Sequence, residues 1–256
     1  MCRIMLKNVF KSILLLPKNL LSYPKIIFDA TDYDEYWKDK KGMDMGNAND
    51  YQRIRARWIA EKIDEGSTVL DLGCGDGAVL SEIRKIKNIK PIGVDISSYA
   101  LNFCTSQNIK TIKIDLSRIE ELKALPVVDF ILMLEFLEHI PNPERALRIL
   151  ESKAQKAMFF SFPNSGYIVY RLRYLSGRFP VQWLVHPGEH LRFWTYKDLK
   201  WWLKELGYAN RSTIYVYKGI FLLNKIWKNL FSRALLVEVR LSGAGRGNLK
   251  ENSQRK

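Results

Sequence analysis

The sequence predicts an α/β fold with a doubly wound, seven-stranded, mostly parallel sheet, and two observations carry this prediction. Short apolar runs alternate with amphipathic helical patterns through the middle of the chain, as in repeated β/α units. One of these runs, residues 68–72, leads directly into three glycines at alternate positions, Gly73, Gly75 and Gly77. A strand, a glycine turn and a helix in succession let the backbone approach a nucleotide closely, although a plain tight turn is the alternative for the glycines alone.

The length and composition of the chain predict a single domain with a sizeable core. The 256 residues are 47% hydrophobic, which suffices for one α/β domain with added arms or a lid. The three cysteines, Cys2, Cys74 and Cys104, have no metal-ligand spacing, so the sequence predicts no metal site and no disulfide framework. This cysteine usage is typical of a reducing compartment and indicates a cytoplasmic protein.

The basic residues are concentrated at the two ends of the chain. The net charge is +14; residues 1–28 hold five Lys/Arg and no Asp/Glu, and residues 218–256 hold nine Lys/Arg and two Asp/Glu. Basic arms favour anionic surfaces, so we expect contact with the inner face of a membrane through 1–28 and 218–233. A solvated tail, and an arm helix packed on the protein's own core, are the alternatives. No apolar stretch reaches the length of a membrane-spanning helix.

The pattern of elements divides the chain into a basic arm with a cap, a central domain and a flexible basic tail, at 1–49, 50–241 and 242–256. Strands are predicted at 68–72, 91–95, 110–114, 127–134, 157–162, 213–217 and 235–241. Helices are predicted at 50–63, from Ser97 or Ser98, after Pro143, at 196–206 and, as a basic amphipathic helix, at 220–231. The first helix is expected to expose Arg53, Arg55, Arg57 and Lys62.

Two stretches outside this regular pattern are expected to cover a ligand site. Residues 29–37 are aromatic and acidic without a clear period, which predicts a loop or short helix folded over the site. Residues 163–195 are an aromatic and basic insertion, too long for a simple connection, and are predicted to form a lid. The lid arginines suit an anionic or amphipathic substrate. A packed cover with solvated arginines is the alternative.

Acidic residues lie at or near the ends of three predicted strands, at the edge where such folds bind ligands. Asp71 lies two residues before the first glycine, Asp95 ends the second strand and Asp115 follows the third. A carboxylate at Asp95 can accept hydrogen bonds from ribose hydroxyls, and one at Asp115 from an adenine amino group. The glycine spacing also fits the relaxed dehydrogenase motif, but Asp71 would repel a pyrophosphate and tolerate a cationic sulfonium. These residues therefore favour an adenosyl sulfonium cofactor over a dinucleotide.

Four segments together resemble the successive motifs of class I S-adenosylmethionine-dependent methyltransferases. They are 69–77 (VLDLGCGDG), 93–96 (GVDI), 114–116 (IDL) and 129–140 (DFILMLEFLEHI). The resemblance covers about residues 50–241. It implies a Rossmann-like methyltransferase fold and S-adenosylmethionine as the cofactor.

The resemblance also implies roles for individual residues. The turn from Gly73 to Gly75 would receive the methionine part of the cofactor. Asp95 would hold the ribose, and the backbone of the fourth strand would line the methionine side. The implied cofactor-binding residues are Asp71, Gly73, Cys74, Gly75, Asp95, Ile96, Asp115, Leu116, Met133 and Leu134.

Three later segments resemble the MetW-type branch, which is associated with methionine biosynthesis. They are 160–166 (FSFPNSG), 171–181 (RLRYLSGRFPV) and 190–195 (HLRFWT). Residues 134–139 (LEFLEH) instead follow the general methyltransferase pattern, and the long basic N-terminal arm is extra. The leading hypothesis is therefore an enzyme that methylates a small-molecule, sugar or lipid-linked acceptor, at oxygen rather than nitrogen. A non-catalytic, MetW-like partner of an acyltransferase is the alternative, and a nicotinamide oxidoreductase is a third.

Histidines are the first candidates for removing a proton from the acceptor. His139 follows the fourth strand and His190 follows the aromatic insertion, so both are candidate catalytic residues. Backbone bonding at a helix start, and anchoring of the lid, are the alternatives for them. Glu135 and Glu138 are further candidates if burial raises their pKa values. An Asn/Asp-Pro-Pro-aromatic tetrad, which accompanies base-amine methylation, does not follow the fourth strand, and this disfavours a nucleic-acid acceptor.

Overall fold

The computed structural model of the protein describes residues 32–41, 44–115, 118–180 and 190–241. The helices in these ranges are α1 Tyr33–Lys41, α2 Asp50–Ala60, α3 Ala78–Arg84, α4 Ser98–Ser106, α5 Pro143–Glu151, α6 Ile168–Leu175, α7 Tyr196–Glu205, α8 Leu223–Ile226 and α9 Lys228–Phe231. The strands are β1 Thr68–Leu72, β2 Lys90–Asp95, β3 Lys110–Lys113, β4 Val128–Leu134, β5 Ala154–Pro163, β6 Ser212–Gly219 and β7 Ser232–Arg240. Short 3-10 turns cover Ile119–Ala124, Leu137–His139 and Ala209–Arg211.

The strands form one seven-stranded sheet in the order β3-β2-β1-β4-β5-β7-β6, which confirms the predicted fold class. Strands β1 to β5 are parallel, and β7 runs antiparallel between β5 and β6. The carboxyl ends of the parallel strands therefore meet at one edge, called the carboxyl edge below. Because Pro163 at the end of β5 pairs with Ala234 near the start of β7, the connection before β7 also lies at this edge.

Both faces of the sheet are buried under apolar residues. Successive residues of β1 point to opposite faces, so Leu70 and Leu72 belong to one core cluster and Val69 to the other. The first cluster includes Leu147 of α5, and the second includes Ile59 of α2. This two-sided burial explains why the central strands are nearly continuous apolar runs, as expected for a parallel sheet covered by helices.

Local signals fix most helix ends at the predicted places. The Ser97 hydroxyl accepts from the Ala100 N–H (3.1 Å) and begins α4. Thr195 and Asp198 form a capping box at the start of α7, and Gly207, with φ of +77°, follows its end. Pro143 occupies the first turn of α5, where its missing N–H costs nothing.

The prediction of one basic amphipathic helix at 220–231 is wrong. The structure has two four-residue helices, α8 and α9, separated at Trp227. The N–H of Ile220 donates to the carbonyl of Phe231 (2.9 Å), so the two ends of the segment meet. A continuous helix of this length would hold its ends roughly 18 Å apart, which a tight connection between adjacent strands does not allow.

Other predicted features are only partly covered by the described residues. The lid contains a helix, α6, that the sequence pattern did not predict, and the lid residues 181–189 lie outside the described residues. The predicted arm helix in 1–28 and the tail 242–256 also lie outside them. Within the ranges given above, no helix is long and apolar enough to cross a membrane.

Candidate functional site

The glycine turn after β1 has a backbone that requires glycine. Gly73, Gly75 and Gly77 have φ angles of +71°, +53° and +70°, in the left-handed region that side chains with a Cβ rarely adopt. A Cβ on Gly75 would also collide with the Trp37 ring of α1. Glycine at this position therefore allows both the turn and the close approach of α1 above it.

Asp95 fixes this turn to the end of β2. Its Oδ2 accepts from the Gly75 N–H (2.9 Å) across 20 residues, and its Oδ1 accepts from the Ser97 N–H (2.9 Å). Burial raises the pKa of the Asp95 carboxyl, while the backbone N–H groups of Ser97 and Gly75 act in the opposite direction. The glycine turn and Asp95 therefore lie together at the carboxyl edge, and the binding of ribose by Asp95 stays a prediction.

Asp71 lies beside this pair at the end of β1. Only 3% of its surface is exposed. Burial raises the pKa of the Asp71 carboxyl to about 7; the charge of Arg55 opposes this shift and that of Asp95 adds to it. Two buried carboxyls that influence each other make this end of the site favourable for a cationic group.

Arg55 corrects the expectation that α2 exposes all its basic residues, because it is only 6% exposed. Its Nη1 donates to Glu135 Oε1 (3.1 Å), to Ser161 Oγ (3.2 Å) and to the Tyr217 hydroxyl (3.2 Å). The sequence contained a signal for this burial. Arg55, Ile59 and Ile63 follow one another at four-residue intervals and therefore lie on the same face of the predicted helix. A pattern based on polarity alone predicts an arginine to be exposed.

The Arg55 network holds the turn that follows β4. Glu135 has φ of +56°, unusual for a residue other than glycine, and its N–H donates to Ser161 Oγ (3.1 Å). The Ser161 hydroxyl donates in return to Glu135 Oε1 (2.7 Å). Such a backbone conformation costs on the order of 1–3 kcal/mol and persists only where the surroundings hold it. Glu135 is therefore engaged in positioning the turn.

The remaining predicted cofactor residues lie around this edge. Ile96 is 37% exposed, directly after β2, and Asp115 is half-buried with Oδ2 at 3.4 Å from Arg118 Nε. Met133 and Leu134 have buried side chains, as has Cys74, whose thiol lies under the turn against Gly93. These three residues can offer only backbone groups to a ligand. Leu116 lies outside the described residues.

Helix α1 covers the glycine turn, which agrees with the prediction for the aromatic stretch 29–37, of which residues 29–31 lie outside the described residues. Asp34 Oδ1 accepts from the Ser97 hydroxyl (2.5 Å) and from the Tyr99 N–H (3.0 Å) at the start of α4. The Ser97 hydroxyl and the Tyr99 N–H hold the pKa of the Asp34 carboxyl below its usual value. Trp37 completes the cover above Gly75.

The two predicted catalytic histidines lie side by side. The rings of His139 and His190 have centroids 4.8 Å apart at 85°. The carbonyl of Glu138 accepts from the N–H groups of Leu191 (2.7 Å) and Arg192 (3.2 Å), which brings the end of the lid to the 3-10 turn after β4. Glu138, His139 and His190 each offer one atom suited to a metal, and these three atoms all lie within 4.8 Å of one another.

The polar atoms of this cluster are buried. Glu138 is 1% exposed, and neither its carboxylate oxygens nor His190 Nδ1 has a hydrogen-bond partner among the described residues. Burial raises the pKa of the Glu138 carboxyl well above its usual range, and repulsion by Glu135 adds to this. Burial lowers the pKa of His190 to about 4, with a smaller contribution from His139. An imidazole with so low a pKa is a weak base, but because it stays neutral at neutral pH it can bind a metal.

Three of the lid arginines bind backbone carbonyls of the protein. Arg171 Nε donates to Gly166 O (2.8 Å), Arg173 Nε to Phe179 O (2.9 Å) and Arg192 Nη2 to Pro141 O (2.8 Å). Three of the lid's positive charges therefore have a structural role, because they hold the lid backbone in place. Recognition of an anionic acceptor by the lid stays a prediction.

The comparisons with known proteins agree with this site. The family described as "Methyltransferase domain" matches residues 43–213, more than half of the chain. The ubiquinone biosynthesis O-methyltransferase of Stutzerimonas stutzeri is 26% identical over 188 residues, covering 70% of this chain and 80% of the relative. That of Dechloromonas aromatica is 30% identical over 168 residues, covering 61% and 71%.

The fold is also that of solved methyltransferase structures. A SAM-dependent methyltransferase from Archaeoglobus fulgidus aligns with 82% of this chain and 100% of its own, with a TM-score of 0.58 and 20% identity. These relatives give no support to a MetW-like, non-catalytic role. The chain belongs to the methyltransferase-domain family and is a class I enzyme that uses S-adenosylmethionine to transfer a methyl group.

Proposed function

We propose that the enzyme methylates a hydroxyl oxygen of a small-molecule acceptor. The observation that carries this is the cluster of Glu138, His139 and His190 at the same edge of the sheet as the glycine turn. A hydroxyl must lose its proton as it attacks a methyl group, and imidazole and carboxyl side chains assist this step as proton acceptors or as ligands of a cation. The curated relatives reported above are named O-methyltransferases, which supports oxygen as the acceptor atom.

The cofactor residues follow from the geometry of the turn. We propose that Asp95 binds the ribose hydroxyls, since a carboxylate has about four acceptor positions and two backbone bonds leave capacity. Asp71 would face the cationic methionine part, which rests on the backbone of Gly73, Cys74 and Gly75. Ile96, Asp115 and Leu116 would flank the adenine, and the backbone of Met133 and Leu134 would close the methionine side. The bound cofactor supplies an electrophilic methyl group on a sulfonium.

His139 and His190 would act on the acceptor hydroxyl, either by accepting its proton or through a bound cation. Their position next to the end of the lid supports this assignment. The lid would then cover the acceptor and exclude water from the transfer.

We further propose a lipid-linked acceptor reached from the cytoplasmic face of a membrane. Large apolar side chains are exposed in the lid and in the connection before β7: Leu175, Phe179, Phe193, Ile226 and Trp227. Residues 206–237 contain no Asp or Glu. Exposed apolar and basic side chains on one edge suit an anionic bilayer, so we include contact through 218–233 and through 1–28. An anionic acceptor is compatible with the same charge.

A methyl-donor assay over hydroxyl acceptors, including phenols, sugars and extracted lipids, tests the reaction. We expect product only with hydroxyl acceptors, and methylation of amines alone would contradict the proposal.

Asp95→Ala tests the cofactor side. We expect this variant to bind S-adenosylhomocysteine at least tenfold more weakly, as measured by calorimetry. Asp64→Ala, an exposed acid before β1 at the opposite edge, is the matched control. Vesicle binding that persists after deletion of 1–28 and in Ile226→Asp would exclude these membrane contacts.

A further inference from the structure

The cluster of Glu138, His139 and His190 has a polar arrangement that proton transfer alone does not require. Both carboxylate oxygens of Glu138 and Nδ1 of His190 are buried without a hydrogen-bond partner among the described residues. Buried carboxylates without partners are costly and uncommon in native proteins. Such unpartnered atoms beside two imidazoles indicate a ligand that completes the cluster.

The scaffold delivers the three side chains from two directions. Glu138 and His139 lie on the 3-10 turn that follows β4, and the backbone of Leu191 and Arg192 is bonded to the Glu138 carbonyl. This tie places His190 against His139 at the end of the lid.

The distances are those of a site that needs only a small adjustment to bind a cation. The three ligand atoms lie within 4.8 Å of one another. Around a tetrahedral ion with metal–ligand distances of about 2.1 Å, the ligand atoms are roughly 3.4 Å apart. Side-chain rotations that move each ligand atom by about 1 Å would therefore bring the three atoms into position. Glu135 is not available as a further ligand, because its Oε1 accepts hydrogen bonds from Arg55, Ser161 and Tyr217.

We propose that Glu138, His139 and His190 bind a divalent transition-metal cation of the Zn²⁺, Mn²⁺ or Fe²⁺ class. Two imidazole nitrogens and one carboxylate oxygen suit these ions better than Mg²⁺ or Ca²⁺. Three protein ligands leave coordination positions open, and the acceptor hydroxyl takes one of them. This inference rests on the proposed O-methylation and names the class of acceptor as one whose hydroxyl can coordinate a metal.

The cation would act by lowering the pKa of the acceptor hydroxyl. The O–H proton leaves to solvent, and the oxygen forms a bond to the methyl carbon. The bond between that carbon and sulfur breaks, and its electron pair stays on sulfur. A methylated acceptor, a neutral thioether and a released proton are the products, and no oxidant or reductant is needed.

Calorimetric titration of the full-length, chelator-treated protein with Zn²⁺ tests the site directly. We expect one equivalent to bind, and binding at least tenfold weaker in both Glu138→Gln and His190→Ala. His186→Ala removes the remaining histidine of the chain and should bind Zn²⁺ like the wild type. Affinity for S-adenosylhomocysteine, measured on the same preparations, should change by less than about twofold and so shows that the variants are folded.

Three results would overturn the inference. The first is a wild-type protein that binds no stoichiometric Zn²⁺, and the second is variants that bind it as tightly as the wild type. The third is methyl transfer that continues unchanged in chelator but is lost in Glu138→Gln, which would make the cluster a direct proton acceptor. If Zn²⁺ binds as expected while no hydroxyl is methylated, the cation site stands and the proposed O-methylation fails.

Discussion

The carboxyl edge has a cofactor half, formed by the glycine turn with Asp71 and Asp95, and an acceptor half, formed by Glu138, His139 and His190. The two halves differ in whether their buried polar groups have hydrogen-bond partners. At the glycine turn, both carboxylate oxygens of Asp95 accept backbone hydrogen bonds, from Gly75 and Ser97. In the acceptor half, both carboxylate oxygens of Glu138 lack a hydrogen-bond partner among the described residues. The hydrogen bonds of the first half are therefore in place before any ligand arrives, and we propose that those of the second are completed by what binds there.

The largest effect is expected from breaking the cofactor half at Gly75. Gly75→Ala adds a Cβ at φ of +53° that collides with Trp37, and we expect a loss of about 3 kcal/mol or more in unfolding free energy. Gly66→Ala has φ of +75° with no atom within 4 Å of the added Cβ, and should lose only about 1 kcal/mol. Urea denaturation measures both. In a Trp37→Ala background, Gly75→Ala should lose only about as much as Gly66→Ala does in the wild type, and an undiminished loss contradicts the collision.

The network that joins the two halves is tested at Arg55. Arg55→Met leaves Glu135 without its charged partner, and we expect a loss of about 3 kcal/mol in unfolding free energy. Arg53→Met removes an exposed arginine paired with Asp50 on the same helix and should change it by less than about 0.5 kcal/mol. A double-mutant cycle with Glu135→Gln measures the coupling. Additive losses would show that the ion pair does not hold the turn.

A pH experiment sharpens the account of charge in the cofactor half. Because the pKa of Asp71 is raised to about 7, the folded protein holds a proton that the unfolded chain releases near pH 4. The stability that Asp71 contributes through its bound proton is therefore complete below about pH 4 and is lost as the pH rises through about 7. A cationic cofactor favours the ionised carboxylate, so binding at pH 6 should release close to one proton. Calorimetry in buffers of different ionisation enthalpy measures this, and unchanged release in Asp71→Asn would contradict the assignment.

The smallest effect concerns the cover over the glycine turn. Asp34→Ala removes the carboxylate that accepts from Tyr99 N–H and the Ser97 hydroxyl, and should weaken the contact of α1 with α4. We expect cofactor affinity to fall about fivefold, equivalent to about 1 kcal/mol. Glu35→Ala, an exposed neighbour on the same helix, is the control. Calorimetric affinities that are equal in the two variants would show that α1 is not needed for cofactor binding.

The parts that could be predicted from the sequence have short-range causes. The glycine turn, the Ser97 cap and the end of α7 depend on residues within a few positions of one another, and the structure confirms them. The tie between Gly75 and Asp95 spans one βα unit, whose geometry is set by the parallel pairing of β1 and β2. Fold class and cofactor follow from such local rules.

The structure differs from the sequence prediction where distant segments of the chain meet. The pattern of 220–231 has a helical period, but the bond between Ile220 and Phe231 closes the segment into a tight connection. Arg55 was expected to be exposed because its partners, Glu135, Ser161 and Tyr217, lie far along the chain. A pattern of polar and apolar residues along the chain gives no information about such distant hydrogen-bond partners.

The sequence by itself determined that a β/α chain places a glycine turn and Asp95 together, because each unit repeats the same local geometry. It also supplied His139 and His190 as separate candidates. Only the tertiary structure decided that the two imidazoles meet beside a buried Glu138, since that depends on backbone bonds between the lid and the turn after β4. The reason is physical: burial and proximity are properties of the packed chain, and they give these side chains their chemistry.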